Sequence, residues 1–342
     1  CHNEDRLDGG AGNDVLSGGN LGDTYVFAPG YGFDVIEDNQ KDILSASFDT
    51  LEIAGYGVSD FIFERVGKSA TVTMRVEGTD DAIQLLNQFE LTPTGVFGDF
   101  HFDSVDLIEF GDGAEWDMAT LGRHLIRQAT TDGDDVIYGF DMRDTLDGGL
   151  GDDRLEGGAY SDTYIWRPGT GSDTIYDASH RALLAAGQDR VELPGINFND
   201  VTFSRAGETL VLTLKATGES LTFEDQYNRY GNQTNAIETF VFADRTVAHT
   251  DLNPEDIDLV GTDAGETLEG THFAEVIDGR GGDDTLIGLP EGDTYRFDAG
   301  YGNDVIIDEV TGRWTGTDVV EFGADISTDT VVFARDGDDL LI

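Results

Sequence analysis

The chain has a single cysteine, Cys1, so no intrachain disulfide can staple it. Secreted proteins often rely on such bridges, so a chain working outside the cell would need another crosslink. Lysine is nearly absent, with Lys41, Lys68 and Lys215 alone. Twenty basic residues stand against 69 acidic ones, a formal charge of −49. That balance excludes nucleic acid as a partner, because phosphate recognition needs a basic surface. It also disfavours anionic membranes. No run of about 20 apolar residues occurs, so no membrane-spanning helix is expected. No signal peptide is visible, and the chain does not begin with Met.

Catalytic spacings are missing as well. His2, His101, His124, His180, His249 and His272 form no H-E-x-x-H. There is no G-x-S-x-G elbow. Carboxylate pairs are too common here to signal glycosidase chemistry, and Cys1 sits at a frayed end. Tyr227, Tyr230 and Trp314 fall outside the strand pattern and read as loop packing rather than as a sugar-binding face. No catalytic residue and no organic cofactor is expected, and the chain does not read as an enzyme.

What the chain does have is glycine and aspartate on a nine-residue beat, in three blocks. Gly9 to Ser17, Gly148 to Glu156 and Gly279 to Ile287 each read G-G-x-G-x-D-x-U-x or its near variant, with U a large apolar residue. This spacing is a recognised calcium-binding parallel β-helix repeat. Glycine at positions 1, 2 and 4 permits a tight turn and draws backbone carbonyls to one point. Aspartate at position 6 aims a carboxylate at the same point. The x-U-x tail is a short strand with one inward side chain. Two units make one coil, so loops on the same side lie two repeats apart and stack at about 4.8 Å. Carbonyl and carboxylate oxygens suit a hard cation with six to eight ligands, which is calcium.

In the first block the expected calcium ligands are Asp5, Asp14, Asp23 and, after a two-residue slip, Asp34, with Gly10, Gly12, Gly19, Gly30 and Gly32. In the second they are Asp135, Asp144, Asp153, Asp162 and Asp173, with Gly149, Gly151, Gly158, Gly169 and Gly171. In the third they are Asp284, Asp293 and Asp304, with Gly282, Gly300 and Gly302. Glu266 and Glu275 replace aspartate there; the extra methylene carries the carboxylate past the loop, so calcium is not expected on that flank. Gly139 to Asp147 lacks the loop glycines, which weakens its site. Asp38, Asp177 and Asp308 follow each block's last inward residue. They are expected to complete the final calcium shell, next to Asp49, Asp189 and Asp318, which open the following strand. Capping of strands or turns is the competing role for these residues.

The charge carries the same message. Two unpaired aspartates about 5 Å apart repel by roughly 3 kcal/mol at an effective dielectric near 20, so the ladder should not stay folded without cations. A salt-adapted acidic surface would explain the charge but not the beat.

The organisation is a tandem array. Asp14, Asp23 and Asp34 recur, with the same mutual spacing, as Asp153, Asp162 and Asp173 and again as Asp284, Asp293 and Asp304. The expected modules are 1–130 (roll 1–38, β-rich subdomain 39–130), 131–258 (roll 131–177, subdomain 178–258) and 259–342 (roll 259–308, partial subdomain 309–342). Between rolls the two-residue alternation predicts hairpins, from Thr71–Val76 with Ala82–Phe89 and from Leu210–Leu214 with Leu221–Glu224. A last strand is expected at Val105–Phe110 and at Ile237–Phe242, and a helix at Trp116–Gln128 with Asp117 near its start. The fold class is therefore all-β, with parallel β-rolls alternating with antiparallel β-rich subdomains.

Gly22-Asp23-Thr24-Tyr25-Val26-Phe27 followed by Gly30 to Asp38 recurs as Ser161 to Trp166 with Gly169 to Asp177, and as Gly292 to Phe297 with Gly300 to Asp308. On these motifs nearly the whole chain resembles the repeats-in-toxin (RTX) superfamily, with haemolysin-type calcium-binding-related domains between the rolls. The resemblance implies several bound calcium ions and export by a one-step type I secretor. It also implies folding outside the cell, hence a secreted or cell-surface location. Two roles follow as expectations: a structural or adhesive extracellular array, or the calcium-folding portion of a larger toxin or hydrolase. Ile342 falls in a strand whose hairpin partner would come later, so the array is expected to continue or self-associate there.

Overall fold

The computed structural model describes residues 4–38, 48–90, 92–93, 99–100, 104–177, 188–206, 208–227, 236–252, 257, 259–270, 274–289, 292–307, 316–327, 329 and 331–342. The chain forms two compact units, Cys1–Ile165 with Asp177–Arg190, and Trp166–Tyr176 with Val191–Ile342.

In the first unit consecutive short strands alternate between two sheets. Arg6–Asp8, Thr24–Phe27, Thr50–Ile53 and Leu107–Glu109 stack in parallel, and Glu115–Asp117 adds an antiparallel edge. Val15–Leu16, Phe33–Ile36 and Ala82–Leu85 form the other parallel stack, continued by antiparallel Val72–Val76 and Phe61–Glu64. The register is the one the beat demands. Leu7 pairs with Tyr25, Ile137 with Leu155 and Leu146 with Tyr164, each exactly one coil apart. Where the beat slips, Leu16 pairs with Ile36, so the coil absorbs the inserted residues without losing register.

The second unit repeats the plan. Leu259–Val260, Val276–Asp278, Thr294–Phe297 and Val319–Phe322 stack in parallel, and Thr267–Glu269, Thr285–Ile287 and Val305–Ile307 form the facing stack. Val201–Ala206, Thr209–Leu214 and Ser220–Phe223 form an antiparallel meander between Leu259–Val260 and Asp173–Ile175.

The inward residue of each repeat is the core. Tyr25, Ile36, Ile137, Leu146, Leu155 and Tyr164 are buried in the first unit. Leu259, Leu268, Ile277, Leu286 and Tyr295 form one cluster in the second. Each buried side chain of this size contributes about 1.5–3 kcal/mol.

Two expectations need amendment. The segments after the rolls are not purely antiparallel: Leu51 pairs in parallel with Tyr25, and Leu85 with Ile36. A parallel stack that stopped at the last repeat would leave a row of unpaired backbone groups, and the next strands satisfy them first. The helix is Met118–Ala129, so Trp116 lies instead on the strand Glu115–Asp117. Asp117 caps the helix by accepting from Thr120 N–H at 2.7 Å, which places the start later than the sequence pattern does. Thr130, just past the helix, donates its hydroxyl to Asp147 O at 3.0 Å and ties the helix end to the next roll.

Candidate metal centre

Seven position-6 aspartates use one carboxylate oxygen in the same way. Oδ1 accepts the backbone N–H of the position-6 residue one coil earlier. Asp23 takes Asp5 N–H, Asp34 takes Asp14, Asp153 takes Asp135 and Asp162 takes Asp144. In the second unit Asp284 takes Glu266 N–H, Asp293 takes Glu275 and Asp304 takes Asp284. These contacts span 2.7 to 3.0 Å. The other oxygen points inward. Oδ2 of Asp14, Asp23, Asp34, Asp162 and Asp284 is buried with no hydrogen-bond partner. A buried, unmatched carboxylate oxygen is costly, and a hard cation satisfies it. The donors are oxygens throughout, so the residues fit calcium.

Position 1 has a role that the sequence pattern alone did not reveal. A Cβ at Gly9 would lie 2.7 Å from Asp14 Oδ2, and Gly18, Gly148, Gly157, Gly279 and Gly288 meet their own position-6 carboxylates in the same way. The aspartate folds back over the first glycine, so no side chain fits there. The fixed offset between positions 1 and 6 was the available signal. Position 4 behaves as expected. Gly151 has φ +118°, and a Cβ there would fall 2.6 Å from Gly133 C of the loop one coil earlier.

Burial raises the carboxyl pKa values along the ladder. Asp23, Asp34, Asp153 and Asp304 are all raised, by burial first, and are held down in part by the N–H that each accepts. Asp162 is pushed up to about 9 by burial, with the charges of Asp144, Asp189 and Asp141 adding to it against the Asp144 N–H.

The closing residues come together. Asp162, Asp177 and Asp189 are all buried, and one oxygen from each lies within 4.8 Å of the others. In the first roll Asp38 Oδ1 accepts from Tyr25 hydroxyl and Gly19 N–H, both at 3.0 Å, while Asp49 Oδ1 accepts Asp23 N–H at 2.7 Å. Burial raises Asp38. In the second unit Asp318 Oδ1 accepts Asp293 N–H at 3.3 Å. Asp308 lies outside the described residues.

The slipped loop is held from far away. Asp81, in the hairpin turn, accepts Gly30 N–H at 2.7 Å, Gly32 N–H at 2.8 Å and Tyr56 hydroxyl at 2.6 Å. In the second unit Glu219 takes Gly169 N–H at 3.1 Å. Contacts between segments so distant in the chain left no local sequence signal. Gly171 O accepts from Trp166 Nε1 at 3.1 Å, and Asp173 is buried at the start of its strand. Gly10, Gly12, Gly19, Gly149, Gly158, Gly282, Gly300 and Gly302 all sit at positive φ in their loops.

The first carboxylates of a roll behave differently. Asp135 accepts from Thr131, its N–H at 2.6 Å and its hydroxyl at 3.1 Å. Asp144 Oδ2 accepts Phe140 N–H at 2.6 Å, and Glu266 accepts Thr262 N–H. Asp5 is partly exposed. The carboxylates of Asp135, Asp144 and Glu266 turn back on their own loops.

Histidines and tyrosines do structural work among the described residues. His124 packs on Trp116 and Phe63, and His249 Nδ1 lies 2.7 Å from Gln226 Nε2. Tyr227 is buried and donates to Leu252 O at 3.0 Å. His2, His101, His180, His272, Tyr230 and Trp314 lie outside the described residues. No described helix is long and apolar enough to cross a membrane.

Residues 4–25, 129–164 and 260–295 match the RTX calcium-binding nonapeptide repeat, and residues 210–247 match the haemolysin-type calcium binding protein related domain. The chain thus carries RTX calcium-binding repeats, and it binds calcium at several of them. A stretch of 132 residues is 30% identical to the iron-regulated protein FrpA of Neisseria meningitidis serogroup C. That stretch is 38% of this chain and 11% of the relative. The chain is also similar to the extracellular lipase LipA of Serratia marcescens, at 19% identity and a TM-score of 0.22, over 62% of this chain and 35% of that one.

Proposed function

We propose that this chain is a secreted array of calcium-folded modules with a structural or adhesive role outside the cell, folding on calcium binding after export. The observation that carries the calcium step is the ladder of carboxylates in which Asp23, Asp34, Asp162 and Asp284 each have one oxygen fixed by a backbone N–H and the other buried without a hydrogen-bond partner. When bound, calcium neutralises these carboxylates and links successive loops. Asp14, Asp23, Asp34, Asp153, Asp162, Asp284, Asp293 and Asp304 would hold it by carboxylate oxygens, and the loop glycines would add carbonyls. Asp38 and Asp177 close the rolls. The modules are 1–130, 131–258 and 259–342.

Repetition and the lack of a catalytic constellation among the described residues favour the array. The strand Asp339–Leu341 pairs with Ala334–Asp336, and Phe333, Leu340, Leu341 and Ile342 are exposed. These supports suit further strands or a second copy joining there.

The second reading, a calcium-folding portion of a larger toxin or hydrolase, draws on one fact. The matched stretch spans 11% of FrpA, so similar repeats occur within a much longer protein. The test is binding of the calcium-loaded chain to cell surfaces and to itself, by sedimentation and pull-down. Calcium-dependent self-association or surface binding supports the array. A strictly monomeric chain that binds no surface favours the second reading.

A further inference from the structure

The repeats that open at Gly139 and Gly270 depart from the pattern at the same place in sequence in two successive modules, and residues 271–273 of the second lie outside the described residues. Asp144 and Glu275 occupy corresponding positions, each one repeat before the intact aspartates Asp153 and Asp284, and both loops lack glycine at positions 2 and 4. Each meets an arginine that the preceding module supplies at a matching position, Arg65 and Arg205.

Arg65 reaches into its loop with both ends of the guanidinium. Nη1 donates to Tyr138 O at 2.8 Å and Nη2 to Gly139 O at 3.0 Å, while Nε donates to Ser69 O at 2.8 Å. Its Cζ sits 3.8 Å above the Phe140 ring. Phe140 occupies a glycine position of the repeat and is itself buried against Phe89, at 3.9 Å between centroids. Arg205 is fully enclosed, and its Nη2 lies 3.1 Å from Glu275 Oε1. That distance makes an ion pair, although the angle is not that of a hydrogen bond. The strand that carries Arg205 pairs with Leu259, the first strand of the next roll.

We infer that Arg65, on the backbone beside Asp144, and Arg205, on Glu275, supply the cation at these two repeats, so that a guanidinium rather than calcium serves the leading edge of the next roll. The chemistry is consistent. The Arg65 guanidinium donates to backbone carbonyl oxygens, the donor type that a hard cation takes, and Arg205 balances the buried carboxylate of Glu275 by charge. Its planar fork and the aromatic ring beneath it explain why glycine gives way to Phe140. A cation built into the chain also makes the junction between a subdomain and the following roll independent of calcium.

The inference rests on the calcium reading and is tested with calcium alone on the whole chain. Bound ions are counted by equilibrium dialysis at saturating calcium. Asp144→Asn and Glu275→Gln are expected to keep the parent count, while Asp162→Asn loses at least one ion. An ion lost from D144N or E275Q overturns the inference. If either variant fails to fold, calcium anomalous scattering from crystals of the parent chain decides. No peak is expected within about 2.3–2.6 Å of either carboxylate, and a peak there overturns it. Arg65→Gln should raise the calcium needed for half-folding severalfold, and Arg65→Lys, which keeps the charge but not the fork, should recover part of that. Equal loss in the two overturns the cation role. A chain that binds no calcium at all defeats the calcium reading itself, whereas ions in every loop defeat this inference alone.

Discussion

The backbone N–H of Asp144 donates to Oδ1 of Asp162 at 2.8 Å, although the two residues are 18 apart in sequence. The bond sets both the coil spacing and the direction of the second oxygen. Loop stacking and ligand orientation are therefore one event, and losing either should undo the other.

Replacing one inner carboxylate tests this locally. Asp153→Ala removes an oxygen that fixes Asp135 N–H and one that faces inward. Calcium affinity should fall by about tenfold or more, and the stability of the loaded chain by about 1–3 kcal/mol. Glu266→Ala should do far less, because its carboxylate serves its own loop through Thr262. Titration calorimetry on both variants checks the contrast, and equal effects would refute the register.

Acid should partly replace calcium. Burial lifts Asp162 to about 9 and Asp144 to about 7, far above an unfolded carboxylate near about 3.9. An acid raised in this way stabilises the fold fully below its unfolded pKa, and that contribution is lost as pH rises through the folded value. The metal-free chain should be most compact near about pH 4 and lose structure up to about pH 9. Calcium affinity should weaken as pH falls, since binding must displace those protons. Circular dichroism of the chelated chain across this range is the check. Structure gained with rising pH would contradict it.

Asp177 should couple its roll to the β-rich segment after it. It shares one small buried space with Asp162 and Asp189. Asp177→Asn should split the calorimetric melt of the loaded chain into two steps where the parent shows one. A single unshifted transition would leave these aspartates as strand or turn caps.

The core makes an ordinary prediction. Leu286 is enclosed by its cluster in the second unit, and Leu286→Ala should cost about 2–5 kcal/mol in denaturant unfolding of the loaded chain. A loss below about 1 kcal/mol would mean that the site collapses around the cavity.

Much of this was legible because the repeat is local. The position of Tyr25 opposite Leu7 and of Leu286 opposite Leu268 follows from a coil of two repeats. The hairpins at Val72–Val76 with Ala82–Leu85, and at Thr209–Leu214 with Ser220–Phe223, follow from two-residue alternation. What stayed hidden depends on distance in the chain. Parallel pairing of Leu51 with Tyr25 reflects the need to cover a sheet edge, and no nearby residue announces it. The grip of Asp81 on Gly30 and Gly32 and the reach of Arg65 to Gly139 likewise join segments far apart. The missing glycines around Phe140 were a visible signal, but they point only to a weak site until the arginine beside them is placed.

The most direct measurement is a calcium titration of the chelated whole chain at low salt, followed by far-UV circular dichroism and hydrodynamic radius. The chain should be expanded and poor in β-structure without calcium, and should become compact and β-rich at about 0.1–1 mM. A compact, β-rich chain in chelator would contradict the account, and high salt alone restoring the fold would assign the charge to salt adaptation instead.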